Sequence, residues 1–134
     1  MCYMLDTNIC IYIMRNQPPK VAGRLNELYY GDAVISAVTL AELTAGVEMQ
    51  LATRPQNAKA LMALLEDLPV LPFDRLAAAS YGRLRAAVPD RRRDALDRLI
   101  AAHAIAVGTT LVTNNETDFM GYPGLTVENW ATSA

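Results

Sequence analysis

Histidine occurs once in this chain of 134 residues, at His103, and lysine only twice, at Lys20 and Lys59. Two cysteines, Cys2 and Cys10, complete a short supply of soft ligands. Zinc, which favours clustered Cys and His, is therefore not expected. Two cysteines are too few for a disulfide framework, and both lie in apolar segments, which predicts buried free thiols in a reducing compartment. His103 stands among Ala101, Ala102, Ala104 and Ile105. That setting predicts a packing role and gives Ser-His-Asp catalysis little support. Neither a Gly-x-x-x-x-Gly-Lys loop nor a Gly-x-Gly-x-x-Gly turn is present for nucleotide phosphates. No apolar run approaches the ~18 residues a membrane span requires. The N-terminus also lacks a basic n-region and a small-residue cleavage site, which predicts a cytoplasmic protein.

What is present suits one well-packed domain over residues 1–134. The mass is 14.6 kDa, 52% of residues are hydrophobic and the mean hydropathy is +0.13, which argues against disorder. A net charge of −2 and a pI near 5.3 argue mildly against the basic footprint of a nucleic-acid binder. The kind of cation matters more than the sum. Ten of the twelve cations are arginine, and six of those lie between Arg83 and Arg98. A guanidinium fork can grip two phosphate oxygens at once, so Arg91, Arg92, Arg93 and Arg98 are candidate phosphate readers. A solvated helical face is the alternative.

Apolar runs and helical periodicity alternate along the chain. Residues 2–5 read as a buried strand, followed by a helix capped by Thr7 or Asn8 and stopped by Gln17-Pro18-Pro19. A short helix over Val21–Leu28 precedes a second strand, Ala33–Ser36. The spacing of Leu40, Leu43, Val47 and Leu51 predicts a helix with Glu42 about its first turn. Pro55 is expected to break it before a helix over Ala58–Leu65. Val70 and Leu71, flanked by Pro69 and Pro72, predict a brief strand at a sheet edge. Asp74 can cap a helix to Ala87, and another after Pro89 carries Asp97 and ends at Gly108. Thr110–Thr113 and Leu125–Val127 predict the last two strands. Strands that are apolar throughout and alternate with helices mean an α/β fold with a buried parallel sheet.

Four acids sit just past apolar runs: Asp6, Glu42, Asp97 and Asp118. In open α/β sheets, ligands bind beyond the carboxyl ends of the strands, and chain geometry alone gathers Asp6, Glu42 and Asp118 at one such end. Asp97, near the start of a helix leading back to the sheet, joins them only where that helix packs alongside. Singly, each has an ordinary explanation: a helix cap, a surface residue, a partner for Arg93 or Arg98, a turn. Converging carboxylates without a cation would repel and raise one another's pKa values. A hard divalent cation, Mg²⁺ or Mn²⁺, turns that liability into binding. Acid-only sites of this kind suit phosphodiester hydrolysis, because the metal activates water and no side-chain base is obligatory.

Four segments then resemble the motifs of PIN-domain nucleases: Met4-Leu5-Asp6-Thr7-Asn8, Ser36-x-x-Thr39-x-x-Glu42, Asp97-x-x-Ile100-Ala101-Ala102-His103-Ala104 and Thr113-Asn114-Asn115-x-x-Asp118-Phe119. The ending, Pro123-Gly124-Leu125-Thr126-Val127-Glu128-Asn129-Trp130, is similar to the tail of the VapC subgroup of toxin ribonucleases. The resemblance implies a five-stranded parallel sheet of order 3-2-1-4-5 flanked by helices. It implies Mg²⁺- or Mn²⁺-dependent endonucleolytic cleavage of RNA, with Asp6, Glu42, Asp97 and Asp118 as catalytic metal ligands. Thr7, Asn8, Thr113 and Asn115 would support them, Asn115 being an alternative oxygen donor, and Arg91, Arg92, Arg93 and Arg98 would lie along the RNA. Dimerisation and inhibition by a VapB-type antitoxin, in a larger mixed complex, are implied as well.

The stretch Val88–Leu96 departs from many relatives, which carry a Gly-containing turn there. Asp94 stands where a glycine is often found and, three residues from Asp97, shares its helical face and is a rival ligand; the spacing to Ile100-Ala101-Ala102 favours Asp97. Two other readings bear on function. A phospho-receiver domain would need an acid beside Asp6 and a lysine near the last strand, and the chain has neither. A silent PIN-like binding module would have the fold without divalent-metal binding or RNA cleavage.

Overall fold

The computed structural model describes residues 1–88 and 95–132. Five short strands, β1 (Tyr3–Leu5), β2 (Ala33–Ser36), β3 (Val70–Leu71), β4 (Thr110–Val112) and β5 (Val127–Glu128), form one sheet of order β3-β2-β1-β4-β5. All neighbours are parallel, with Tyr3 opposite both Ala33 and Thr110. Among the described residues six helices cover it: α1 (Thr7–Arg15), α2 (Pro19–Asn26), α3 (Ala37–Met49), α4 (Arg54–Asp67), α5 (Arg75–Ala87) and α6 (Ala95–Val107).

Successive strand residues point to opposite faces, and that alternation divides the core in two. Leu5, Ile35 and Val112 pack under α1 to α4 with Ile9, Val21, Leu43, Val47, Leu61 and Leu64. Met4, Val34 and Leu111 pack under α5 and α6 with Leu84, Ile100 and Ala104. The expected α/β fold and strand order are those observed.

Several boundaries differ from expectation for identifiable reasons. Pro55 does not break a helix; it sits in the first turn of α4, where its missing N–H costs nothing. A 3₁₀ turn, Leu51–Thr53, separates α3 from α4 instead. Pro19 likewise opens α2, two residues before the expected start. The cap of α1 is Asp6 rather than Thr7 or Asn8, since its Oδ1 accepts from Ile9 N at 2.9 Å. Glu42 lies in the second turn of α3, whose start is set by Ser36 accepting from Val38 N. Strand β5 runs one residue beyond Val127, and Glu116–Phe119 form a 3₁₀ turn that periodicity did not signal. Cys10 is buried, but Cys2 is exposed, preceding rather than joining the first strand. Asp74 does cap α5, accepting from Ala77 N at 3.0 Å, and Gly108, at φ +75°, ends α6.

The tail is fastened by one aromatic residue. Trp130 is fully buried, its ring 5.4 Å from that of Tyr3 in an edge-on arrangement, and the Arg24 guanidinium lies 5.1 Å above it. Its Nε1 donates to Glu128 Oε1 at 2.9 Å, and Arg24 Nη2 reaches the same oxygen at 3.0 Å. Trp130→Ala should therefore cost about 3–5 kcal/mol of stability through the cavity and the lost contacts. Urea unfolding followed by circular dichroism checks this; a change under ~1 kcal/mol would contradict it.

Candidate active site

The parallel strands bring the loops after β1, β2 and β4 to one edge of the sheet. Asp6 follows β1 directly, and its own N–H is held by Val112 O at 3.0 Å, which fixes it against the end of β4. The side chain is almost fully buried, at 5% exposure. Burial is the main reason its pKa is pushed up to about 6. Hydrogen bonds from the Thr113 side chain and from Ile9 N–H oppose that rise, while the nearby Glu42 charge adds to it. Repulsion between Asp6 and Glu42 places the two carboxylates in one electrostatic neighbourhood, although they stand far apart in sequence.

Glu42 is oriented from the other side. Thr7 Oγ1 donates to Glu42 Oε1 at 2.6 Å, so the residue after one acid steers the next. Thr113, fully buried at the end of β4, also receives the Asn115 N–H on its Oγ1 at 3.2 Å. Asn115 in turn donates from Nδ2 to Asp118 Oδ2 at 2.7 Å and accepts from Thr117 on Oδ1. Asn8 donates to Asn114 Oδ1 at 3.4 Å, and Asn114 passes a bond to the Tyr12 hydroxyl at 2.9 Å. A band of neutral polar groups therefore rims the acids.

Placement differs among the other expected site residues. Asp97 lies half-buried in the first turn of α6. Asp118 sits in the 3₁₀ turn, tied to Asn115. Among the described residues no three His, Cys, Asp or Glu side chains stand close enough to share one metal ion, so the structure brings together Asp6 and Glu42 rather than a closed cluster of four. Arg98 is buried at 6% exposure, which removes it from a solvent-facing arginine path. Arg91, Arg92, Arg93 and Asp94 lie outside the described residues. His103 is buried and does pack, but it also has a polar partner that its apolar neighbours gave no sign of: its Nδ1 lies 2.8 Å from Ser36 Oγ.

The donors present fit a small hard cation. Mg²⁺ keeps several waters and is commonly held through one or two carboxylates plus a substrate phosphate. Asp6 and Glu42, both oxygen donors and mutually repelling, meet that demand. The nearby thiol of Cys10 offers no competing thiolate, because burial and then the Asp6 charge drive its pKa far up and keep it protonated.

Comparison with known proteins decides the kinship. The PIN domain family matches residues 3–122. The chain belongs to the PIN-domain family. This PIN domain is 39% identical over 132 residues to the tRNA(fMet)-specific endonuclease VapC of Shigella flexneri, spanning 96% of this chain and 98% of that one. It is 38% identical over 133 residues to ribonuclease VapC2 of Rickettsia felis, with 97% and 98% covered. The DNA-bound VapBC of Salmonella typhimurium superposes with a TM-score of 0.88 at 36% identity, covering 97% of this chain and 98% of its counterpart.

A groove runs beside Glu42 between α1, α3 and α4. It encloses about 120 Å³ and is lined by Ile11, Met14, Leu43 and Val47, with Gly46 in its wall and Glu42 at one end. No helix among the described residues is long and apolar enough to cross a membrane.

Proposed function

We propose that this PIN domain is the toxin of a cytoplasmic toxin–antitoxin pair, an endoribonuclease that hydrolyses RNA phosphodiester bonds with Mg²⁺ or Mn²⁺. The observation that carries this reading is the buried Asp6 carboxylate beside Glu42 at the carboxyl end of a parallel sheet. Burying a carboxylate next to another acid is unfavourable unless a cation joins them. The kinship with VapC ribonucleases supports RNA as the substrate.

Each residue has its own task. Asp6 and Glu42 would hold the metal, with Asp97 and Asp118 completing the set of acids. Thr113 and the Ile9 N–H keep Asp6 ionised at lower pH than burial alone would allow. Thr7 points Glu42 inward, and Asn115 holds Asp118. A divalent metal held there would supply activation of the attacking water and stabilisation of the leaving oxygen. His103 is committed to Ser36, so the chain's one imidazole does not serve as the base. Incubating labelled RNA with the purified chain in EDTA and then in Mn²⁺ tests the reading; metal-independent cleavage or none at all would refute it.

The expected antitoxin, of VapB type, lies over the groove with an apolar face on Leu43 and Val47 and a cation extended to Glu42. The active form is expected to be a homodimer that enters a larger complex with the antitoxin.

The arginines give a separate test. If Arg91, Arg92 and Arg93 flank the RNA path, replacing all three with Ala should weaken binding. The slope of log affinity against log salt should flatten by roughly 2, at about 0.7 per phosphate contact to a single strand. Turnover at saturating RNA should change much less. Filter binding across a salt series decides it, and an unchanged slope would assign these residues to a solvated face.

A further inference from the structure

The buried contact between His103 and Ser36 joins the two helices that carry the second and third acids. Ser36 is the last residue of β2 and the cap of α3; its Oγ accepts from Val38 N at 3.1 Å. The same oxygen lies 2.8 Å from His103 Nδ1 on α6, and both side chains are shut away from solvent. Phe73, just after β3, closes the site with its ring edge-on to the imidazole at 5.3 Å. Burial lowers the affinity of His103 for a second proton, and the Asp74 charge opposes that. A neutral ring accepting at Nδ1 lets the hydroxyl both receive a bond from Val38 and give one to His103.

We propose that the His103–Ser36 hydrogen bond is a positioning brace that fixes the spacing between Glu42 and Asp97 and thereby sets how tightly the site holds a divalent cation. Glu42 on α3 lies six positions beyond Ser36, and His103 on α6 lies six beyond Asp97. Each carboxylate bearer thus stands about 9 Å of helix rise from the brace. Helix α6 packs mainly on α5 and touches α3 over a smaller area, so packing alone constrains this pair of helices less. Metal sites tolerate displacements of only about 0.5 Å, and a helix that slides at one end carries its other end with it. Neither residue touches the metal; both act through the acids. The brace rests on Glu42 and Asp97 being metal ligands.

Mn²⁺ titration followed by electron paramagnetic resonance of the free ion tests this without relying on activity. His103→Leu, which keeps bulk but cannot hydrogen-bond, and Ser36→Ala should each weaken Mn²⁺ binding roughly 10-fold or more, the range for residues that support ligands. Turnover at saturating Mn²⁺ should largely persist. His103→Asn places a polar atom close to the position of Nδ1 and should restore near-wild-type affinity; Ser36→Thr, which keeps the hydroxyl, should do the same. The double variant His103→Leu/Ser36→Ala should bind no more weakly than the worse single variant, because both remove one bond. Wild-type Mn²⁺ affinity in His103→Leu or Ser36→Ala, with only the melting temperature lowered, would overturn the brace. Asp97→Asn belongs in the same titration. If it binds Mn²⁺ as the wild type does, the ligand reading falls and takes the brace with it. If it binds weakly while the brace variants bind normally, the brace alone falls.

Discussion

Asp6→Asn should silence RNA cleavage by more than ~10²-fold and, in the same stroke, make the metal-free chain more stable. The two effects have one cause. Asn keeps the size of the side chain and remains a good cap for α1, but it cannot carry the charge that attracts a cation. Losing a direct ligand should cost at least the roughly 10–100-fold typical of residues one layer further out. The stability gain comes from the pKa of Asp6, raised from 3.8 to about 6. The folded chain holds this proton more tightly than the unfolded chain does. The Asp6 contribution is therefore fully favourable below about pH 4 and is lost as pH climbs to about 6; beyond that the folded state bears a constant penalty. A rise of that size, with the opposing bonds from Thr113 and Ile9 already included, is worth about 3 kcal/mol at most, and on the order of 2 kcal/mol is expected because Asn reproduces the neutral carboxyl only in part. For a domain of this size that is roughly 5–8 °C at about pH 7.5 in EDTA. Saturating Mn²⁺ should erase the advantage by stabilising only the wild type. Melting curves at about pH 4 and pH 7.5 check this: the gap must close at the acid end. A variant that cleaves RNA normally, or a gap equal at both pH values, would remove Asp6 from the site.

That residue also illustrates what the sequence can and cannot convey. A carboxylate after an apolar strand is visible by inspection, and so is the alternation that builds the parallel sheet. Val70 and Leu71, held between two prolines, were legible as an edge strand because proline cannot donate to a ladder on both sides. Pro55 misled because a proline that ends one helix and a proline that opens the next look the same without the intervening 3₁₀ turn. The contacts that tune the site were hidden for a different reason. Thr7 meets Glu42 across 35 positions and His103 meets Ser36 across 67, and nothing in local spacing encodes such pairings. Arg98 shows the converse: in a run of arginines it reads as a surface cation, yet its place on the inner side of α6 buries it. Periodicity could have flagged it, since Arg98 shares a helical face with Ala101, Ala102 and Ile105.

Expression of the wild-type chain alone should arrest the growth of a bacterial host within a few generations, and Asp6→Asn should be tolerated at the same level. Co-expression of the cognate small protein, expected from an overlapping upstream reading frame, should restore growth by direct binding. The groove beside Glu42 makes this more than a test of toxicity. Gly46 forms part of its wall, and a Cβ added there meets nothing within 4 Å. Gly46→Leu should therefore fold well, since leucine is favoured over glycine within a helix by up to ~1 kcal/mol. The new side chain occupies the space an apolar partner face would use. Toxicity should persist in this variant even when the antitoxin is present, and the complex should fail to form in a pull-down with the purified pair. An Arg of the antitoxin reaching Glu42 would bind the carboxylate bidentately and compete with the metal for it, so blocking the groove frees the acids as well as the surface. Full rescue of Gly46→Leu would place the antitoxin elsewhere on the molecule. Harmless expression of the wild type in a host without the antitoxin would sink the toxin reading altogether.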